Sequence, residues 1–284
     1  MNIRAYAKIN LSLDIVGRRD DGYHLLETIM QTVSLFDNIE IKENSLGEIR
    51  ISNSESYLPV NEKNTAYKAA KLFFEHCHLN NAGVDIKIDK NIPSRAGMGG
   101  GSADAAAVLK ALNVMFRTNL DEKTMFEIGA KIGADVPFCI AGGTCKCEGI
   151  GEQITRIAPM PDCVLLICKP PQGMSTKRAF EIIDSYPTLE DHRSLAMQAA
   201  LESGKIENVA KHVSNRFDET LKLWQVRKIK GSMKAGGALS AIMTGSGSAV
   251  YGIFKDENRA KKCGAYLESS GEVFLCKPLG FSEM

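Results

Sequence analysis

Pro93-Ser94-Arg95-Ala96-Gly97-Met98-Gly99-Gly100-Gly101-Ser102 runs directly into an alanine-rich stretch from Ala103 to Phe116. Four glycines within positions 97 to 101 strip the Cβ atoms from a turn, and Ala103, Ala105 to Leu109, Ala111 and Leu112 then favour a helix. The glycines therefore lead into a helix N-terminus. Unpaired backbone N–H groups and the positive end of the helix dipole meet there, a combination suited to phosphate. Ser102 can cap the helix or offer its hydroxyl to a phosphate or its metal, and Asp104 falls in the expected first turn, where an acid is favourable. A tight loop with a good N-cap is the plainer alternative, but a mere turn seldom needs four glycines.

Outward from the loop, Val84 to Ile88 alternates as a strand should, so strand, loop and helix stand in the order of a phosphate cradle. The loop is neither a G-x-x-x-x-G-K-[ST] sequence nor a dinucleotide fingerprint, since Ser102 stands where the last glycine belongs. No H-R-D or D-F-G set marks a protein kinase. Pro93, Gly97, Met98, Gly99, Gly100, Gly101 and Ser102, ahead of an alanine-rich helix, do resemble the ATP loop of the galactokinase, homoserine kinase, mevalonate kinase and phosphomevalonate kinase (GHMP) superfamily. Met98 departs from the commoner leucine.

Ile3 to Val16 reads as a half-buried strand that carries Lys8 and Asn10 with the same parity, on one face. Asp21-Gly22 is a hairpin signal, but it leaves Tyr23-His24 unexplained. An aromatic that can stack beside an imidazole that can hydrogen-bond suits a planar heterocycle; a packed Tyr and a satisfied His fit as well. Ala7-Lys8-Ile9-Asn10-Leu11 with Gly17-Arg18-Arg19-Asp20-Asp21-Gly22-Tyr23-His24 resembles the branch of the superfamily that serves non-mevalonate isoprenoid synthesis. Its acceptor alcohol carries a cytidine diphosphate.

Residues 38 to 62 read as short hairpin strands, and Asn64-Thr65 as the cap of a helix from Ala66 to about His76. Asp121 to Ile132 reads as a second helix ended by Gly133. Ala134-Asp135-Val136-Pro137-Phe138 then places an acid past a helix C-terminus, where the dipole disfavours it, so a surface turn or a function must account for it. Phe138 to Ala141 with Thr144 to Cys147 reads as a hairpin, Cys163 to Cys168 as a buried strand, and Ser175 or Thr176 as the cap of a helix through Phe180. Residues 190 to 235 have helical spacing, and Thr244-Gly-Ser-Gly-Ser248 links two strands; one more strand lies near Val273 to Cys276.

The chain has 284 residues, with 35 basic against 34 acidic side chains, so neither nucleic acid nor an anionic membrane is an expected partner. Eight cysteines without a C-x-x-C pair point to free thiols; Cys139, Cys163 and Cys168 are expected to be buried, and Cys145 and Cys147 to share one strand face. No membrane-length apolar run or signal peptide is apparent, which implies a cytoplasmic protein.

The resemblance implies an α/β (α+β) fold in two domains: a ribosomal-protein-S5-like half over 1–155 and a ferredoxin-like half over 156–284, with the site in the cleft between them. It implies ATP as phosphoryl donor, Mg²⁺ carried by ATP and possible near Ser102, and a small-molecule acceptor. Asp135 would be the base, with Lys8 keeping it ionised. Asn64 would approach the adenine, and Asn10, Tyr23, His24, Thr176 and Phe180 would contact the acceptor. A homoserine or mevalonate kinase, or a silent nucleotide-binding regulator on the same fold, are the alternatives.

Overall fold

The computed structural model describes residues 1–186 and 192–283. The chain forms two compact units with interleaved segments, one of Met1–Ala7, Phe36–Ile92 and Gly99–Ala141, the other of Lys8–Leu35, Pro93–Met98 and Gly142–Met284. Two long strands, β1 (Asn2–Arg18) and β2 (His24–Asn44), contribute a part to each.

In the first unit, β2 from Asn38 onward pairs antiparallel with β4 (Gly83–Asp89), which pairs in parallel with β3 (Ile49–Asn53). Residues 39 to 53 are thus no hairpin: Ile39 to Lys42 continues β2, and Ile49–Asn53 reaches its own partner on the far side of β4. Helix α1 (Thr65–His76) begins where the sequence indicated, with the Asn64 side chain accepting from the Ala66 N–H, and buries Ala66, Ala69, Ala70, Phe73 and Phe74. Helix α2 (Gly100–Met115) is enclosed, burying Ala103 to Leu109 together with Ala111 and Leu112. Such an all-round apolar helix is stable only as the centre of a core.

Helix α3 (Glu122–Ile132) is capped by Asp121, whose carboxylate accepts from the Thr124 N–H. Phe138 to Ala141, expected as a strand, belongs instead to a short helix, α4 (Val136–Ala141). Six apolar residues carry no period that separates the two. The correction matters for Asp135, whose carbonyl accepts the Cys139 N–H and so opens α4. Its carboxylate therefore lies at the favourable, positive end of a helix.

In the second unit, β2 from Thr28 to Gln31 pairs with β5 (Thr144–Glu148), β5 pairs with β6 (Gln153–Arg156), and β1 at Ser12 and Leu13 pairs in parallel with the two-residue β8 (Ser214–Asn215). A separate antiparallel sheet has the order β11-β7-β10-β9, formed by Glu272–Cys276, Val164–Lys169, Val250–Phe254 and Ser240–Met243. Numbered along the chain this is the four-one-three-two arrangement of a ferredoxin-like sheet.

Helices α5 (Thr176–Ile183), α8 (Arg216–Leu221), α9 (Trp224–Ala235) and α10 (Glu257–Leu267) close a core around Leu166, Phe217, Ile229, Met233, Phe254 and Leu267. Helices α6 (Arg193–Glu202) and α7 (Ile206–His212) fill the expected helical stretch, of which residues 190 and 191 lie outside the described residues. All eight cysteines are present as thiols rather than disulfides. Cys145 and Cys147 share the buried face of β5 as alternation requires, and Cys168 is buried, whereas Cys139 and Cys163 are only partly covered. Burial, with the Asp162 charge beside it, still pushes the Cys163 thiol up to about 12. Among the described residues no helix is long and apolar enough to cross a membrane.

Candidate active site

The glycine loop has two structural halves. In the second unit, the Arg95, Ala96 and Met98 carbonyls accept from the Ser248, Ala249 and Lys8 N–H groups at 3.4, 3.2 and 3.0 Å. Gly97, at φ 75°, passes so close to the Thr244 carbonyl that a Cβ would run into it. Close approach thus demands this glycine, a reason the sequence did not display. Pro93 and Met98 are buried beneath the loop.

In the first unit, Gly99 takes the left-handed conformation (φ 70°) as the N-cap of α2, and no side chain caps that end. Ser102 is therefore not the cap; it lies within the first turn, and its hydroxyl is free of that duty. The uncapped N–H groups of Gly100, Gly101 and Ser102 suit the phosphates of a nucleotide. A Cβ on Gly133 would stand 4.0 Å from Ser102 Oγ, so the hydroxyl lies beside the turn that carries Asp135. The Thr65 hydroxyl donates to the Gly101 carbonyl at 2.6 Å, bringing the start of α1 against the loop. Asn64 next to it is already engaged, accepting from Ala66 N–H at 2.9 Å and donating to the Pro59 carbonyl at 2.8 Å.

Asp104 corrects a second expectation. It is not a first-turn acid but a buried group, 4% exposed, that shares the Lys90 ammonium with Asp37. Asp37 also accepts the Asn91 and Ile92 N–H groups, whereas Asp104 Oδ1 has no partner. Burial pushes the Asp104 carboxyl up to about 7; Lys90 opposes this and the Asp37 charge reinforces it. Burial also works against the Lys90 charge, but the two carboxylates more than offset it and hold its pKa above the ordinary value. Nothing in the sequence marks the triad beyond three charges in apolar surroundings.

Lys8 and Asn10, both buried, do share a face of β1, and the Lys8 ammonium donates to Asn10 Oδ1 at 2.9 Å. The Asn10 N–H donates to Thr244 Oγ1 at 3.0 Å, joining this pair to the loop between β9 and β10. Farther along the unit, His24 stacks on Phe180 with centroids 4.5 Å apart and planes 19° from parallel. Its Nε2 lies 2.7 Å from Asp184 Oδ1, and Phe180 stands edge-on to Phe217.

Asp184 was not read from the sequence, where it is one acid at a helix end. Thr176 Oγ1 lies 3.1 Å from Ser246 Oγ, while Ser175 supplies the cap of α5 by accepting from the Arg178 N–H. Tyr23 follows the Asp21-Gly22 turn, its N–H donating to Asp21 Oδ1 at 3.2 Å, and the residue is 61% exposed. The unit thus gathers Lys8 with Asn10, His24 with Phe180, and Thr176 with Ser246 of the loop between β9 and β10, and leaves Tyr23 at the surface.

An uncapped, glycine-preceded helix, a lysine on the first strand and a second glycine loop beside it are features of small-molecule phosphotransferases. Residues 64–143 match the GHMP kinases N terminal domain and residues 197–273 the GHMP kinases C terminal domain. The chain belongs to the GHMP kinases. Within that family, a protein from Clostridium botulinum (strain Eklund 17B / Type B) named 4-diphosphocytidyl-2-C-methyl-D-erythritol kinase is 43% identical over 282 residues, spanning 98% of this chain and 100% of that one. Its namesake from Clostridium perfringens (strain SM101 / Type A) is 44% identical over 289 residues, spanning 100% of both. A crystal structure of 4-(cytidine 5'-diphospho)-2C-methyl-D-erythritol kinase superposes with a TM-score of 0.81 at 29% identity, covering 99% of this chain and 100% of that one. The Methanococcus jannaschii mevalonate kinase, at 17% identity and a TM-score of 0.75, shares the fold.

Proposed function

We propose that the chain transfers the γ-phosphoryl group of ATP to the 2-hydroxyl of 4-diphosphocytidyl-2-C-methyl-D-erythritol, in the non-mevalonate (MEP) route to isoprenoid precursors in the cytoplasm. The observation that carries this reading is the stacked His24–Phe180 pair held by Asp184, a planar polar platform for a pyrimidine in a chain 43% identical to kinases named for that cytidyl substrate. Homoserine and mevalonate have no base to place there.

Phosphoryl transfer depends on positioning and charge stabilisation more than on covalent participation by the protein. The N–H groups at Gly99 to Ser102 hold the phosphates, with Pro93, Gly97 and Met98 shaping the loop and Asn64 on the adenine side. Mg²⁺ carried by ATP would neutralise charge on the phosphate oxygens, and Ser102 is the residue that would hold it. Asp135 takes or orients the proton of the acceptor hydroxyl, and Lys8 offsets the charge that develops there. Asn10 and Thr176 hold the polyol end, and Tyr23, His24 and Phe180 read the cytosine. Functionally the chain divides into 1–155 and 156–284, either side of which the two family matches fall.

The test is ³¹P NMR of the purified protein with Mg-ATP and the cytidyl substrate, beside homoserine and mevalonate. A new phosphomonoester resonance with ADP for the cytidyl substrate alone is expected. Turnover of another acceptor instead would discard the cytosine reading, and ATP binding without any turnover would favour a silent regulator.

A further inference from the structure

The Lys8 ammonium is held by one end of the Asn10 carboxamide, at 2.9 Å. The ammonium has only donors and so takes the carboxamide oxygen, while the group that accepts from the amide nitrogen fixes where that oxygen stands. Thr28, on β2, is that group. Its hydroxyl has one proton, which it donates to the Ser12 carbonyl at 2.6 Å, leaving the oxygen able only to accept from Asn10. Asn10 Nδ2 donates to that oxygen at 2.9 Å, and Oδ1 is thereby turned toward Lys8. The Thr244 hydroxyl, 3.3 Å from the same Oδ1, adds a second donor on that side. Thr28 is 0% and Asn10 1% exposed, so bulk water has no access to take the place of the threonine.

We infer that Thr28 is a positioning residue for the reaction, fixing through the Asn10 carboxamide where the Lys8 ammonium stands. The inference rests on the reading of Lys8 as the group that offsets charge at the acceptor. In Thr28→Val the shape is kept and the acceptor is lost, so Asn10 Nδ2 is left unpaired in a closed interior. The donor-only ammonium still keeps the carboxamide oxygen toward it, but the amide loses the contact that fixes its place, and Lys8 shifts with it. Thr28→Ser keeps the hydroxyl and keeps the arrangement.

The experiment uses the full chain labelled with ¹⁵N-lysine, with the Lys8 ammonium resonance identified by its disappearance in Lys8→Met. Thr28→Val is expected to shift or broaden that resonance and to lower kcat about tenfold or more, with KM for ATP within about twofold of the unaltered chain. Thr28→Ser should restore both, and in an Asn10→Ala background Thr28→Val should have no further effect. Should Thr28→Val fail to fold, Thr28→Ala also lacks the hydroxyl, demands less room and is read the same way. An unchanged Lys8 resonance, or equal losses in the valine and serine variants, overturns the inference. If the unaltered chain does not phosphorylate the cytidyl substrate, the substrate reading falls, while the Lys8 resonance still decides the role of Thr28.

Discussion

Asp135 is where reading the chain and seeing it folded differ most in physical meaning. In sequence it follows the α3 C-terminus, where the dipole makes a carboxylate unwelcome; in the structure it opens α4, where the dipole favours one. The acid thus needs no functional reason to be tolerated, and its role rests on chemistry instead. Asp135→Asn should lower kcat on the order of 100-fold if the carboxylate serves as base, with KM for ATP unchanged; a raised KM with kcat intact would remove Asp135 from the proton path. Residues whose signal is parity or residue type were legible: Lys8 with Asn10 on one strand face, His24 beside a turn, Asn64 and Ser175 as caps. Thr28, Lys90, Asp104 and Asp184 were not, because their significance lies in partners 14 to 160 positions away.

Elements were legible in proportion to their period and their ends. Helices α1 and α3 carry both an apolar face and a side-chain cap, and both begin within a residue or two of where the sequence indicated. The alternating run after residue 38 reads as a strand of its own, whereas β2 runs unbroken through the buried Asp37, paired with Lys90, to Asn44. Helix α10 went unread because its charged residues obscure the apolar face of Ala260, Cys263 and Leu267; β8, two residues long, has no period at all.

The glycine loop stands out in the sequence as a candidate anion site, but Gly97 answers to packing as well as conformation. Gly97→Ala should cost at least about 2 kcal/mol, since strain at positive φ adds to collision with the Thr244 carbonyl. Gly204, at φ 63° with nothing within 4 Å of a Cβ, isolates the strain alone, and Gly204→Ala should cost only about 1 kcal/mol. Urea midpoints of the two variants measure the difference, and equal losses would show that the contact with Thr244 contributes nothing.

At the scale of the whole molecule, near-neutral net charge hides an internal imbalance, because one ammonium serves two buried carboxylates. Asp37 is the better provided, with two backbone N–H donors besides Lys90, so the unmet cost of ionisation falls on Asp104 and its partnerless Oδ1. Its carboxyl titrates at about 7 in the folded chain against roughly 4 when unfolded. Between those values the folded state retains a proton that the unfolded state has lost, so the stabilisation present below about pH 4 is lost as pH rises through 7. The chain should therefore unfold at lower urea at pH 8 than at pH 5.5. Asp104→Asn keeps the shape, accepts from Lys90 through its amide oxygen and cannot ionise, so it should flatten that difference. Parallel pH profiles for the two proteins would mean that Asp104 stays ionised throughout, and that the single lysine is enough for both acids.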